Sequence, residues 1–106
     1  MTTGVLVGYA RTSTIEQEAG LAAQLRDLKA VGCSEVYAEQ LSSLAAKRPE
    51  LEAALRYVRK GDTLVVTKLD RLGRSVADLV QIQEKLAAKG VALRVLAMGL
   101  DTATPH

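Results

Sequence analysis

The chain contains no phenylalanine and no tryptophan, and only three tyrosines. Its core must therefore be built from Leu, Val and Ala. It also offers no row of rings on which unpaired bases could stack, which argues against the aromatic platform of single-strand binders. The lone cysteine, Cys33, cannot close an internal disulfide and has no companions at metal-ligand spacing, so a reducing, cytoplasmic compartment is the simplest reading. The single histidine is His106, at the terminus, and no G-x-S-x-G elbow is present, which excludes a Ser-His-Asp hydrolase. Gly4 to Gly8 lacks the G-K-[ST] ending of a phosphate-binding loop. Asp62, Asp70 and Asp101 are scattered, so no metal site is expected. No apolar run is long enough to cross a membrane, and the N-terminus lacks the pattern of a signal peptide. A net charge of +2 is too small to announce a nucleic-acid partner by itself.

What is present is ordinary globular composition, 48% apolar and 25% charged, over 106 residues: one domain with one core. Short apolar runs alternate with helical spacing. Val5-Leu6-Val7 with Tyr9 reads as a strand. Ile15 to Val31 reads as a helix, with Leu21, Leu25, Leu28 and Val31 on one stripe and Gly32 ending it. Glu35 to Ala38 is a weaker strand. Leu51, Ala54, Leu55 and Val58 mark a second helix with Pro49 in its first turn and Gly61 closing it. Thr63 to Thr67 is the clearest strand, β-branched and continuous. Ser75 to Lys89 predicts a third helix, opened by Ser75 with Asp78 and closed by Gly90, and Val91 to Leu96 a last strand. Strand and helix alternating in this way predict an α/β domain of three layers: a mostly parallel central sheet of about four to five strands with helices on both faces.

In such a sheet ligands bind beyond the carboxyl ends of the strands, and two loops expected there carry unusual chemistry. One is "ARTST" after the first strand; the other is "KLDRLGRS", Lys68 to Ser75. Each has an ordinary explanation. Ser13 with Glu16, or Thr14 with Gln17, fits a capping box. Arg71 and Arg74 could be solvated surface charges with Asp70 as their partner, and "SSLAAKRPEL", Ser42 to Leu51, a plain connection. The sharper reading rests on convergence. Arg11 and Ser13 are two apart in an extended segment and leave one face. Arg71 and Arg74 are neighbours if their turn is helical, and Asp70 lies four from Arg74. A helix N-terminus beside Arg74 adds positive potential. Guanidinium forks match phosphate oxygens two at a time, so a phosphate is the expected guest and a serine attacking phosphorus the expected chemistry.

The pieces "YARTST", "RPEL" and above all "GDTLVVTKLDRLGRS", in this order and at this separation, resemble the catalytic domain of the serine recombinases, the resolvase and DNA-invertase family. The resemblance covers nearly the whole chain, residues 1–106. It implies that Ser13 is a nucleophile that cleaves double-stranded DNA and holds a 5′-phosphoserine link while strands exchange, with no ATP, metal or other cofactor. It implies phosphate-binding roles for Arg11, Arg71, Arg74 and Arg48, the last on the family's mobile loop. Asp70 would orient an arginine or handle the leaving group's proton, Gln17 and Gln24 would line the site, and Ser42 and Lys68 would stand near the phosphate. Two departures are visible: "EAGLAAQ", Glu18 to Gln24, is longer than the common pattern, and Glu39 stands where many members have aspartate. Members work as dimers pairing into tetramers, through a long helix followed by a helix-turn-helix domain, whereas these residues stop at Thr104-Pro105-His106. The expectation is a catalytic fragment or truncated product, acting on bacterial, plasmid or phage DNA in the cytoplasm, that by itself binds DNA weakly and recombines poorly. The rival readings are a non-catalytic phosphate- or nucleotide-binding signalling domain on a similar sheet, and a degenerate dimerisation module that interferes with full-length partners.

Overall fold

The structure, a computed structural model, describes residues 4–13, 18–41 and 47–102. Five strands form one sheet: β1 (Leu6–Thr12), β2 (Cys33–Gln40), β3 (Thr63–Val66), β4 (Ala92–Val95) and β5 (Leu100–Asp101). Their order across the sheet is β2-β1-β3-β4-β5; the first four run parallel and β5 pairs antiparallel with β4. Helices α1 (Glu18–Ala30), α2 (Pro49–Tyr57) and α3 (Val76–Lys89) connect them, with 3₁₀ turns at Leu69–Arg71 and Leu96–Met98.

Alternation along β1 divides the core. Val7 and Tyr9 pack with Leu51, Ala54, Val58, Ile82 and Leu86 beneath α2 and α3. Ala10, the residue after Tyr9, points to the other face and joins Leu28 and Val65 under α1, flanked by Leu21 and Leu25. Helices thus cover both faces, and the thicker core lies on the α2/α3 side.

The structure revises several boundaries. β1 does not stop at Tyr9 but runs on through Arg11 and Thr12, because β2 is also longer and pairs with it there, Arg11 opposite Glu39 and Thr12 opposite Gln40. The start expected for the first helix at Ile15, and the Ser13/Glu16 and Thr14/Gln17 capping readings, involve residues outside those described. That helix ends at Ala30, one residue before Val31. α2 ends at Tyr57 and not at Gly61. Val58 turns extended (φ −67°, ψ 145°) and is fully buried. Beyond it the Asp62 carboxylate accepts from the Arg59 N–H at 2.9 Å, a local side-chain bond that competes with further helix. Gly61, at φ 93°, forms this turn, and Gly4 presses so closely on it that a Cβ there would sit 1.8 Å from the Gly61 carbonyl oxygen. α3 keeps its expected ends: Ser75 Oγ accepts from the Asp78 N–H, and Gly90 closes the helix at φ 74°. Lys89, from its last turn, donates to the Leu55 carbonyl at 2.7 Å and so ties down the final turn of α2.

Candidate active site

The carboxyl ends of β1, β2 and β3 converge on Arg11. Its side chain is almost covered, 8% exposed for the residue, and a buried guanidinium must find acceptors. It finds two backbone carbonyls from different elements. Nη1 donates to Leu41, just past β2, and Nη2 to Asp70 in the 3₁₀ turn after β3, both at 3.0 Å. One side chain therefore stitches the end of β1 to the arginine-bearing turn. Ser13, half-buried, follows directly on the last residue of β1. The end of β1 at Arg11 and the Lys68–Ser75 segment accordingly meet at one corner of the molecule.

The Arg11 backbone explains Gln24. β1 pairs with β3 only as far as Gly8, so beyond that point its strand edge lacks a neighbour. The buried Gln24 amide takes the neighbour's place: its Oε1 accepts from the Arg11 N–H at 3.1 Å and its Nε2 donates to the Arg11 carbonyl at 2.9 Å. The amide expected to line the site thus supports the strand that presents Arg11.

Glu39, opposite Arg11 in the sheet, is buried and accepts three hydrogen bonds. Its oxygens take the N–H groups of Glu50 (3.0 Å) and Leu51 (3.2 Å), in the first turn of α2, and the Tyr9 hydroxyl. The helix itself supplies no side-chain cap at Arg48, so β2 supplies the cap for it. Burial, and then the hydrogen bond and charge of Glu39, push the Tyr9 hydroxyl far above its ordinary pKa; the Arg48 and Arg11 charges pull it back only in part. Tyr9, Glu39, Arg11 and Arg48 therefore share one electrostatic neighbourhood.

Arg48 is held by the segment after the turn. Nη1 donates to the Leu72 carbonyl at 2.7 Å, and Nη2 to both oxygens of Asp78 at 3.0 Å. Asp78 also accepts from the Arg74 backbone N–H at 2.9 Å. Burial opposes the charge on Asp78, but the Arg74 N–H and the Arg48 guanidinium outweigh it and hold the carboxyl below the usual aspartate range. Arg71 lies in the 3₁₀ turn, its Nε 3.9 Å from Asp70 Oδ1, with the Asp70 side chain well exposed. Arg74 follows Gly73 and is not part of that turn, so the helical adjacency expected for Arg71 and Arg74 is broken; the bulk of Leu79, against which Gly73 packs, keeps this link at glycine.

The structure thus brings the Arg11 and Arg48 guanidinium groups to the Leu69–Asp78 stretch that carries Asp70, Arg71 and Arg74, at the end of β1 from which Ser13 follows. Lys68 lines a different groove, with Asp27 and Ala30 of α1, Val31 just past it, and Leu96. Gln17 and Ser42 lie outside the described residues. Among the described residues no three His, Cys, Asp or Glu side chains come together in a way that would hold a metal ion, and no helix is long and apolar enough to cross a membrane. Two participants are not marked as site residues by sequence pattern: Asp78, whose spacing from Ser75 fits a helix cap, and Glu39, which stands where many family members have aspartate. A carboxylate three residues after a capping serine and just past an arginine-rich turn was the available signal for the first. Nothing local signals the second, because its partners belong to β1 and α2.

Comparison with known proteins gives the family. The pattern of the family described as "Resolvase, N terminal domain" matches residues 6–106. A DNA-invertase of Escherichia phage P1 is 45% identical over 101 residues, covering 95% of this chain and 53% of the invertase. A serine recombinase, gin, of Escherichia phage Mu is 42% identical over 101 residues, covering 95% of this chain and 51% of the relative. This chain therefore spans about half the length of the curated relatives it matches. Among solved structures, a serine recombinase from Sulfolobus solfataricus superimposes with a TM-score of 0.76 at 26% identity, over 89% of this chain and 69% of that one.

Proposed function

Since the chain belongs to the resolvase and DNA-invertase family of serine recombinases, we propose that it is a catalytic domain that cuts and rejoins double-stranded DNA through Ser13. The Ser13 oxygen attacks a backbone phosphorus, a serine–phosphate bond forms, and the bond from phosphorus to the 3′-oxygen breaks, that oxygen leaving with a proton as a hydroxyl. Reversal with a different 3′-hydroxyl seals the exchanged strand. Because one phosphoester replaces another, the step needs no ATP. Arg71 and Arg74, with Arg11 behind them, stabilise the charge that builds on the phosphoryl oxygens, and Asp70 orients Arg71. Double-stranded DNA of a bacterial cell or its phages, met in the cytoplasm by a dimer that pairs into a tetramer, is the corresponding partner.

The observation that carries this reading is the Arg11 bridge. By binding the carbonyls of Leu41 and Asp70 together it brings the serine-bearing end of β1 to the arginine-bearing turn. The test is incubation with a pool of nicked duplexes of randomised sequence, followed by denaturing electrophoresis. A protein–DNA link that survives denaturation supports recombinase chemistry. Micromolar binding of small nucleotides with no such link supports the signalling-domain alternative instead.

A further inference from the structure

Arg48 is bonded in a way that does not suit a phosphate ligand. Its Nη2 is taken up by both oxygens of Asp78 and its Nη1 by the Leu72 carbonyl. The two side chains are 13% and 18% exposed, so water and salt screen the pair only in part. Asp78 occupies Nη2 with both of its oxygens, so a phosphate that binds Arg48 through Nη2 has to displace the carboxylate. Resting on the phosphoryl-transfer reading, we propose that Asp78 holds Arg48 in reserve: the Arg48–Asp78 fork is a latch that opens when Arg48 transfers to a DNA phosphate.

The two partners are not equally fixed. Asp78 is fastened to α3, its N–H donated to Ser75 Oγ at 3.1 Å and its carboxylate accepting from the Arg74 backbone. Arg48 stands at the N-cap of α2 with a backbone (φ −131°, ψ 79°) outside the usual cap geometry and no side-chain capping bond. Glu39 has taken over the capping of that helix, so swinging Arg48 away leaves the first turn of α2 still satisfied. The pair borders a cavity of about 120 Å³ that Arg74 and Lys85 also line, which gives the side chain room to turn. The Leu72 carbonyl, bonded through the other terminal nitrogen, can remain as the pivot. The latched and released forms compete, so weakening the latch raises the population able to bind phosphate.

The experiment titrates inorganic phosphate into the chain while the backbone N–H signals of Leu69 to Asp78 are followed by NMR, for the wild type, Asp78→Asn, Arg48→Ala and the double variant. Asn keeps an acceptor for the Arg74 N–H and removes only the charge; Asp78→Ser serves the same purpose should the Asn variant fold poorly. The latch predicts that Asp78→Asn binds phosphate about fivefold more tightly, the factor associated with a partly exposed ion pair. It predicts that the gain disappears in the Arg48→Ala background, where a general rise in positive potential would persist. An unchanged or weaker affinity in Asp78→Asn, or an equal gain without Arg48, overturns the proposal. Formation of the DNA link by the wild type is scored separately, so failure of the latch and failure of the recombinase reading give different results.

Discussion

At the amino ends of the strands the chain is closed by close backbone packing and one carboxylate: Gly4 lies against Gly61, and the Asp62 side chain accepts from the N–H groups of Val5 and Arg59. At the carboxyl ends, guanidinium groups instead reach across to neutral carbonyls, Arg11 to Leu41 and Asp70, and Arg48 to Leu72. The first arrangement has no better alternative partner to offer, since a peptide N–H already bonded to a carboxylate gains nothing by exchange. The second does, because an arginine donor makes a stronger bond to an ionised phosphate oxygen than to a carbonyl. One end is built to stay closed, and the other holds its cations on acceptors that a phosphate can displace.

Substitutions at the two ends test this contrast. The largest effect is expected for Arg71→Ala, which should slow DNA cleavage by about a hundredfold while lowering stability by no more than about 1 kcal/mol. A single-turnover cleavage time course with a parallel thermal melt measures both. Next is Glu39→Ala, which strips the acceptor from two α2 N–H groups and the Tyr9 hydroxyl and should cost about 2 kcal/mol in urea unfolding. Glu39→Gln should restore part of that loss, its remaining oxygen still accepting. Asp62→Ala, at the other end, should cost about 1 kcal/mol and leave cleavage per folded molecule unchanged. A cleavage defect as large as that of Arg71→Ala would break the contrast between the ends. The smallest effect is in pH. Because Asp78 has a lower pKa folded than unfolded, its contribution is fully present above the ordinary aspartate value and is lost as pH falls through the lowered one. Asp78→Asn should lack that acid-side step in a series of melts.

The elements that pack through apolar stripes were legible from sequence. β3 and α3 fall where the Val65-Val66 run and the Ser75 and Gly90 signals place them. The reach of β1 into Arg11 and Thr12 was not, because polar residues give no burial signal of their own. They are inside only because β2 pairs beside them and Gln24 serves the Arg11 backbone, contacts made far along the chain. Likewise the arginines and Ser13 could be singled out by type and spacing, whereas the second role of Asp78 depends on an arginine 30 residues away. Local pattern reveals which side chains are chemically unusual; which of them are already occupied is decided by tertiary contacts.

The central claim is that Ser13 forms a covalent bond to DNA. Mass spectrometry of the denatured, nuclease-trimmed adduct tests it most directly. The account predicts a nucleotide carried by its 5′-phosphate on Ser13, and no adduct from a Ser13→Ala protein that melts like the wild type. An adduct that persists in Ser13→Ala, or one mapped to any other residue, would contradict it.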